Sequence, residues 1–298
     1  MKTPSKDCLR IFLFAALLIG CTKSEPVEQS IPEDSYPSLF AIDNLVAWCV
    51  VPFDKMERGP KERAVMLKEL GFTKFAYDWR DQHLPSFPEE VIALNENGID
   101  LLSVWWWIDG QGDSLLNPGN RQLLSYLDSL KVPCDIWMSF DDRFFENLDD
   151  SAKLEKATMA IRELHQLAGQ ADAKLQLYNH GEWFGNPRNQ VRIIEKTGLS
   201  DIGIIYNFHH AHQQMEEFTE LLPIMLPYLK VVNINGMVKD GSKILTVGAG
   251  NYEQQMLRAL LDSGFKGNIG ILGHIEDEDV KLVLERNLKG LEKIASEL

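Results

Sequence analysis

One local pattern recurs along this chain and constrains its fold more than any other feature. A helix-period segment ends in glycine, an apolar residue follows, and a short β-type run comes next. The pattern appears at Leu67-Lys68-Glu69-Leu70-Gly71-Phe72 before Lys74-Phe75-Ala76-Tyr77, and at Leu94-Asn95-Glu96-Asn97-Gly98-Ile99 before Leu101-Leu102-Ser103-Val104. It returns at Ile194-Glu195-Lys196-Thr197-Gly198-Leu199 before Ile202-Gly203-Ile204-Ile205, and at Leu261-Asp262-Ser263-Gly264-Phe265 before Ile269-Gly270-Ile271-Leu272. Glycine just past a helix accepts the left-handed conformation that ends it, and the next apolar residue closes over the last turn. Extending the pattern predicts eight strands, at about 45–51, 73–77, 100–106, 134–139, 174–178, 202–206, 230–234 and 268–272. Helices fall near 60–70, 88–96, 120–130, 150–168, 189–197, 214–226, 252–263 and 279–296. The strands are near-continuous apolar runs, as parallel strands covered on both faces require. Eight strand–helix units in about 255 residues match an α/β fold of the single (β/α)8 TIM-barrel type. The alternative, a doubly wound open sheet, lacks its glycine-rich phosphate turn after the first strand, where Val51-Pro52-Phe53-Asp54 stands.

The N-terminal residues read differently. Lys2, Lys6 and Arg10 precede an apolar stretch, Ile11 to Ile19, too short to span a bilayer and of the length of a signal peptide's apolar region. It runs into Leu18-Ile19-Gly20-Cys21, which looks like the lipobox of bacterial lipoproteins and implies cleavage before Cys21 and a lipid on its thiol. A plain secretory signal with an incidental cysteine is the alternative. Residues 21–40, with Pro26, Pro32 and Pro37 among Glu25, Glu28, Glu33 and Asp34, read as an acidic, proline-rich flexible tether. The barrel domain is then 41–298. The chain is expected outside the cytoplasm, held to the outer membrane or the periplasmic face by its N-terminal lipid alone. No apolar run reaches the ~18–20 residues of a spanning helix. Cys49 and Cys134 remain in the folded part and read as buried free thiols.

Charge narrows the ligand. The net charge is −14, and residues 1–20 carry +2, so the remainder carries −16. Without a basic face, nucleic acid is not an expected partner.

In a barrel of this kind the chemistry sits in the loops that follow the strands. Those loops hold six of the seven histidines, His83, His180, His209, His210, His212 and His274, whereas His165 lies in a helix and reads as structural. They also hold Asp78-Trp79-Arg80, Trp105-Trp106-Trp107, Asp141, Asp142, Glu182, Trp183, Asn233, Asn235 and Glu276. Of the three consecutive tryptophans at least one packs outward against a helix. The others, with Trp79 and Trp183, would offer flat apolar faces on which sugar rings stack.

Tyr178-Asn179-His180-Gly181 is similar to the Glu-Asn-His-Gly that ends a strand in the sugar phosphate isomerase/epimerase family of xylose isomerase-like barrels. Asn207-Phe208-His209-His210 resembles that family's Asp-x-x-His. Asn233-Ile234-Asn235-Gly236 and Gly270-Ile271-Leu272-Gly273-His274 take the places of its last two ligand strands, so the resemblance covers about residues 42–296. It implies a barrel that binds a divalent ion through Glu, Asp, His and Glu and moves protons at adjacent sugar carbons. Here Tyr178 and Asn207 stand at the first two positions, Asn233 or Asn235 at the third, and Gly273 or His274 at the fourth. Hard ions want anionic oxygens, so the usual divalent site is expected to be absent. Two replacements are open: a non-standard, zinc-like site on His180, His210 and His274 with Glu182, or direct acid–base work by those histidines and Glu182. Trp79, Arg80, Trp107, Tyr178, Asn179, Asn207 and Asn235 would bind the substrate. Export, acidity and the few basic residues near the site (Arg80, Arg143, Lys243) favour an unphosphorylated sugar, keto-sugar or glycoside over a sugar phosphate. The leading expectation is therefore isomerisation, epimerisation or related proton abstraction on a small carbohydrate. The alternatives are a non-catalytic carbohydrate-binding lipoprotein on a decayed barrel, or a glycoside hydrolase pairing Asp141 or Asp142 with Glu182 or Glu276.

Overall fold

The computed structural model describes residues 37–110 and 114–298, and these form one compact unit. The expected export signal, Cys21 and most of the tether lie outside the described residues. The eight strands are β1 Leu45–Trp48, β2 Lys74–Tyr77, β3 Asp100–Ile108, β4 Asp135–Phe140, β5 Lys174–Tyr178, β6 Gly203–Asn207, β7 Leu229–Ile234 and β8 Asn268–Leu272. They pair in parallel and in chain order, and β8 closes on β1, with Leu45 opposite Ile269 and Trp48 opposite Leu272. The helices are α1 Pro60–Glu69, α2 Phe87–Glu96, α3 Pro118–Leu130, α4 Asp150–Gly169, α5 Pro187–Thr197, α6 Phe218–Met225, α7 Glu253–Asp262 and α8 Val280–Glu297. The single (β/α)8 barrel expected from the repeat is the fold. Among the described residues no helix is long and apolar enough to cross a membrane.

Helix α5 illustrates the local logic. Asn186 caps it by accepting the Arg188 N–H, Pro187 opens the first turn, and Gly198 ends it at φ +70°. Between them Val191, Ile193, Ile194 and Thr197 are buried while Glu195 and Lys196 face water. Gly98 also sits at φ +70° after α2, and open space surrounds the place of a Cβ at both glycines, so conformation rather than packing requires them. Where the sequence lacks such a glycine the chain still turns left-handed, at Lys131 after α3 and Asp172 after α4.

Three boundaries differ from expectation. Leu39 and Phe40, assigned to the tether, are buried, because their apolar side chains join the core around the barrel. β1 stops at Trp48 rather than 51, since Cys49 adopts φ +54° and the chain then enters a 3-10 turn, Val51–Phe53. α6 starts at Phe218 because a 3-10 stretch, His212–Glu217, occupies the segment before it. Cys49 and Cys134 are buried free thiols.

The apolar interior has two parts. A large shell lies between strands and helices, and a separate cluster including Val46, Trp48, Trp137, Tyr178, Val231 and Leu272 fills the barrel. Trp137 is wholly buried in that cluster and meets Trp48 at 5.0 Å between ring centroids. Trp137→Ala should lower the free energy of unfolding in urea by about 3–5 kcal/mol, because the barrel closed on all sides cannot collapse into the space left.

Candidate functional site

The strand ends of β1, β2, β3, β5, β6 and β8 open onto a cleft of about 730 Å³, within the range of small-molecule sites. Its floor is aromatic. Tyr178, at the end of β5, reaches across the barrel, and its oxygen accepts the Trp48 Nε1–H at 3.1 Å and the Nδ2–H of Asn207. Trp105 meets the Tyr178 ring at 4.8 Å and lies stacked beside Trp107. Burial pushes the Tyr178 phenol well above its ordinary pKa. It therefore stays a neutral hydroxyl, and with both acceptor directions taken its own proton is left to donate.

Imidazoles form one wall. His180 and His210 lie 4.4 Å apart between ring centroids, His210 and His209 4.5 Å, and His209 and His274 5.1 Å. Trp107 sets its edge to His180 at 4.8 Å. Burial disfavours a charge on each ring. It lowers His180 despite the opposing pull of Asp142 and Asp141, and it lowers His209 and His274 to about 4. His210 is pulled down further, by burial first and then by its histidine neighbours. At neutral pH the wall is uncharged.

One carboxylate is buried in the cleft. Asp78 follows β2 and is 3% exposed. Its Oδ1 accepts the Val50 and Val51 N–H groups at 3.2 and 3.3 Å. Its Oδ2 is buried and has no hydrogen-bond partner among the described residues. Burial raises its pKa to about 6, against the lowering effect of Arg80 and of the main-chain N–H groups of Val51, Val50 and Asp78 itself.

Of the residues singled out from the sequence, Trp79, Arg80, Trp107, Tyr178, Asn207, His180, His210 and His274 line the cleft together. Others do not. The Asn179 amide is spent on the main chain of Asn207, donating to its carbonyl and accepting its N–H, which ties β5 to β6. Asn235 donates to the carbonyls of Gly236 and Lys243, holding the loop after β7 in shape. Glu182 is exposed outside the cleft, and its N–H is donated to Asp142. Trp183 packs on Phe145 and donates to Asp150. Trp106 is the member of the tryptophan run that is fully buried in the outer shell, and His165 pairs with Asp201 on the surface. Asp141, Asp142, Glu182 and Glu276 are all absent from the lining of the cleft, so the hydrolase pairing has no support in the geometry. The sequence places Asp78 and His209 in the strand-end loops without a role, Cys49 only as a buried thiol and Trp48 only in the first strand; all four line the cleft. Asp78 and His209 stand beside chosen residues, but nothing in their local sequence marks them as buried within the cleft.

The positions where the resemblance places a divalent ion carry no carboxylate. Asn207 donates an Nδ2–H to the Tyr178 oxygen, and its Oδ1 accepts the His209 N–H, so its amide is engaged with the protein. Asn233 is wedged against Gly270, where a Cβ would meet its Oδ1 at 1.8 Å. Among the described residues no group of three or more His, Cys, Asp or Glu is placed to hold a metal ion, the His180–His210–His274 trio included.

Two measurements probe this site. Tyr178→Phe leaves the Trp48 and Asn207 donors buried without their acceptor and should cost about 1–3 kcal/mol of stability in urea unfolding. For Asp78 the folded pKa lies above its ordinary value of 3.8, so its contribution to stability is fully present below about pH 4 and is lost as pH rises through about 6. Asp78→Asn should therefore melt higher than the parent at pH 8, with the advantage gone near pH 3.5.

Neither a protein-family model nor a curated protein sequence matches the chain. Solved structures do. The chain resembles 3-keto-D-glucoside 4-epimerase from Escherichia coli with a TM-score of 0.66 at 16% identity, over 84% of this chain and 99% of that one. It resembles D-psicose 3-epimerase from Clostridium cellulolyticum H10, solved with D-tagatose, with a TM-score of 0.57 at 15% identity, over 85% and 96%. A xylose isomerase-like TIM-barrel protein from Mycobacterium smegmatis, solved in complex with magnesium, matches with a TM-score of 0.55 at 14% identity, over 89% and 98%. The strand order, the closed parallel ring and these neighbours agree that the chain carries the xylose isomerase-like (β/α)8 barrel fold.

Proposed function

We propose that the chain is a carbohydrate isomerase or epimerase that removes a proton from a carbon next to a carbonyl of an unphosphorylated sugar or keto-sugar. The observation that carries this reading is the wall of neutral imidazoles, His180, His210, His209 and His274, set in an aromatic cleft. A neutral imidazole has a ring nitrogen free to accept a proton, and burial keeps these rings in that form. The C–H faces of a sugar ring stack on Trp79, Trp105 and Trp107. His180, whose Nδ1 has no partner among the described residues, takes the proton. The electron pair then forms the double bond of an enediolate, and the hydroxyl of Tyr178 donates to its oxygen. Arg80 is the only Lys or Arg that lines the cleft among the described residues. Its Nη1 donates to the Trp79 carbonyl, which holds the guanidinium beside the cleft. The names of the structural neighbours support a carbohydrate substrate. Residues 1–21 support export and a lipid anchor on Cys21, with the barrel facing the periplasm or the cell surface.

The test is incubation of the purified protein with free aldoses and ketoses, followed by NMR. His180→Ala and His210→Ala should each lower turnover about 10²–10⁴-fold while leaving the melting temperature near the parent's. Undiminished turnover in both variants would sink the reading. Binding seen by calorimetry with no product after long incubation would replace it with a non-catalytic sugar-binding role.

A further inference from the structure

The cleft has a second wall able to hold a proton. In a closed ring of eight strands in chain order, β2 and β6 are as far apart as the ring allows. Asp78 follows directly on β2, His209 and His210 follow on β6, and His180 follows on the adjacent β5. Both groups line the same cleft. Asp78 is anchored through one oxygen by the Val50 and Val51 N–H groups, while its other oxygen is buried and unpartnered. A buried polar atom left without a partner is costly, and in a ligand cleft its natural partner is the ligand.

Resting on the proton-abstraction reading above, we propose that Asp78 is a second catalytic residue, its carboxyl group facing the imidazoles across the bound sugar. A proton is taken from one face of the carbon beside the carbonyl and returned to the other, which makes the reaction an epimerisation. In one direction a neutral imidazole takes the proton: the C–H bond breaks, its electron pair forms the enediolate C=C, and the carbonyl pair moves onto oxygen. The carbonyl then re-forms, and the C=C pair takes the proton of the Asp78 carboxyl on the opposite face. The imidazolium and carboxylate left behind reset by exchanging protons with water, so no oxidant or reductant is needed. In the other direction the steps run in reverse: the Asp78 carboxylate takes the proton, and an imidazole that has picked up a proton from water gives it to the opposite face. A carboxyl held near 6 serves both roles at neutral pH. The charged and titratable groups around it are Arg80 on its own loop, Cys49 after β1, Tyr77 on β2, Tyr178 on β5 and Glu90 on α2.

Asp78→Asn isolates the role, because its remaining Oδ1 still accepts the Val50 and Val51 N–H groups. The probes are D-fructose, D-psicose, D-sorbose and D-tagatose in D2O, read for epimer formed and for deuterium at the carbon beside the carbonyl. The parent protein should place one solvent deuterium in each product molecule. Asp78→Asn should lose epimer formation about 10²–10⁴-fold in both directions, yet keep hydrogen exchange with one member of the epimer pair and lose it with the other. Retained epimerisation, or equal loss of exchange with both epimers, would overturn the role of Asp78 while the parent's activity leaves the proposed function standing. Absence of both exchange and epimer from the parent protein would overturn both. Should Asp78→Asn fail to fold, the parent alone decides: product formed in D2O that keeps its original hydrogen shows one group serving both faces and overturns the proposal.

Discussion

The oxygen of Tyr178 joins β5 to β1 and β6 by accepting the Trp48 Nε1–H and the Asn207 Nδ2–H. Both donors are buried, so neither has water as a substitute partner, and the phenol is held across the barrel by the cost of leaving either one unpaired. The rings of Trp48, Trp105 and Trp137 pack around it. This aromatic layer closes the barrel interior and becomes the floor of the cleft, so the chemistry above it starts from an apolar surface with a single hydroxyl.

That surface sets the electrostatics. Burial lowers His209 and His274 to about 4 and raises Asp78 to about 6. The ordinary order of the two residue types is thereby inverted: the carboxyl holds its proton at a pH where the imidazoles have already lost theirs. A cleft of this kind suits proton transfer to and from a neutral ligand. The same desolvation would penalise a bound phosphate, and the neutral amides at the ends of β6 and β7 offer no anionic oxygen to a hard cation.

Much of the fold was legible because the repeat is local. A glycine such as Gly198, an opening Asn186-Pro187 and an amphipathic run between them specify one helix without reference to the rest of the chain. The repeat was harder to see where Lys131 or Asp172 makes the left-handed turn instead. The site was only partly legible. Polar residues placed after strands, His180, His210, His274, Trp79, Trp107 and Asn207, come together in one cleft because the barrel sends every such loop to one end. That placement failed for Asn179 and Asn235, whose short amides find main-chain partners before any ligand. It failed for Glu182 as well, which the turn at Gly181 places in solvent.

The sequence by itself determined the number of strand–helix units, their order, the end of the barrel that carries polar loops and the neutral residues, Tyr178 and Asn207, at the ends of β5 and β6. These follow from residue identity and spacing within about thirty residues. Only the tertiary structure decided that Asp78 and His210 share one cleft, that Tyr178 bonds to Trp48, and that Asp78 keeps one oxygen without a protein partner. Each of those facts joins residues that strand order alone brings together, and burial and hydrogen bonding at such a junction depend on closure of the whole ring.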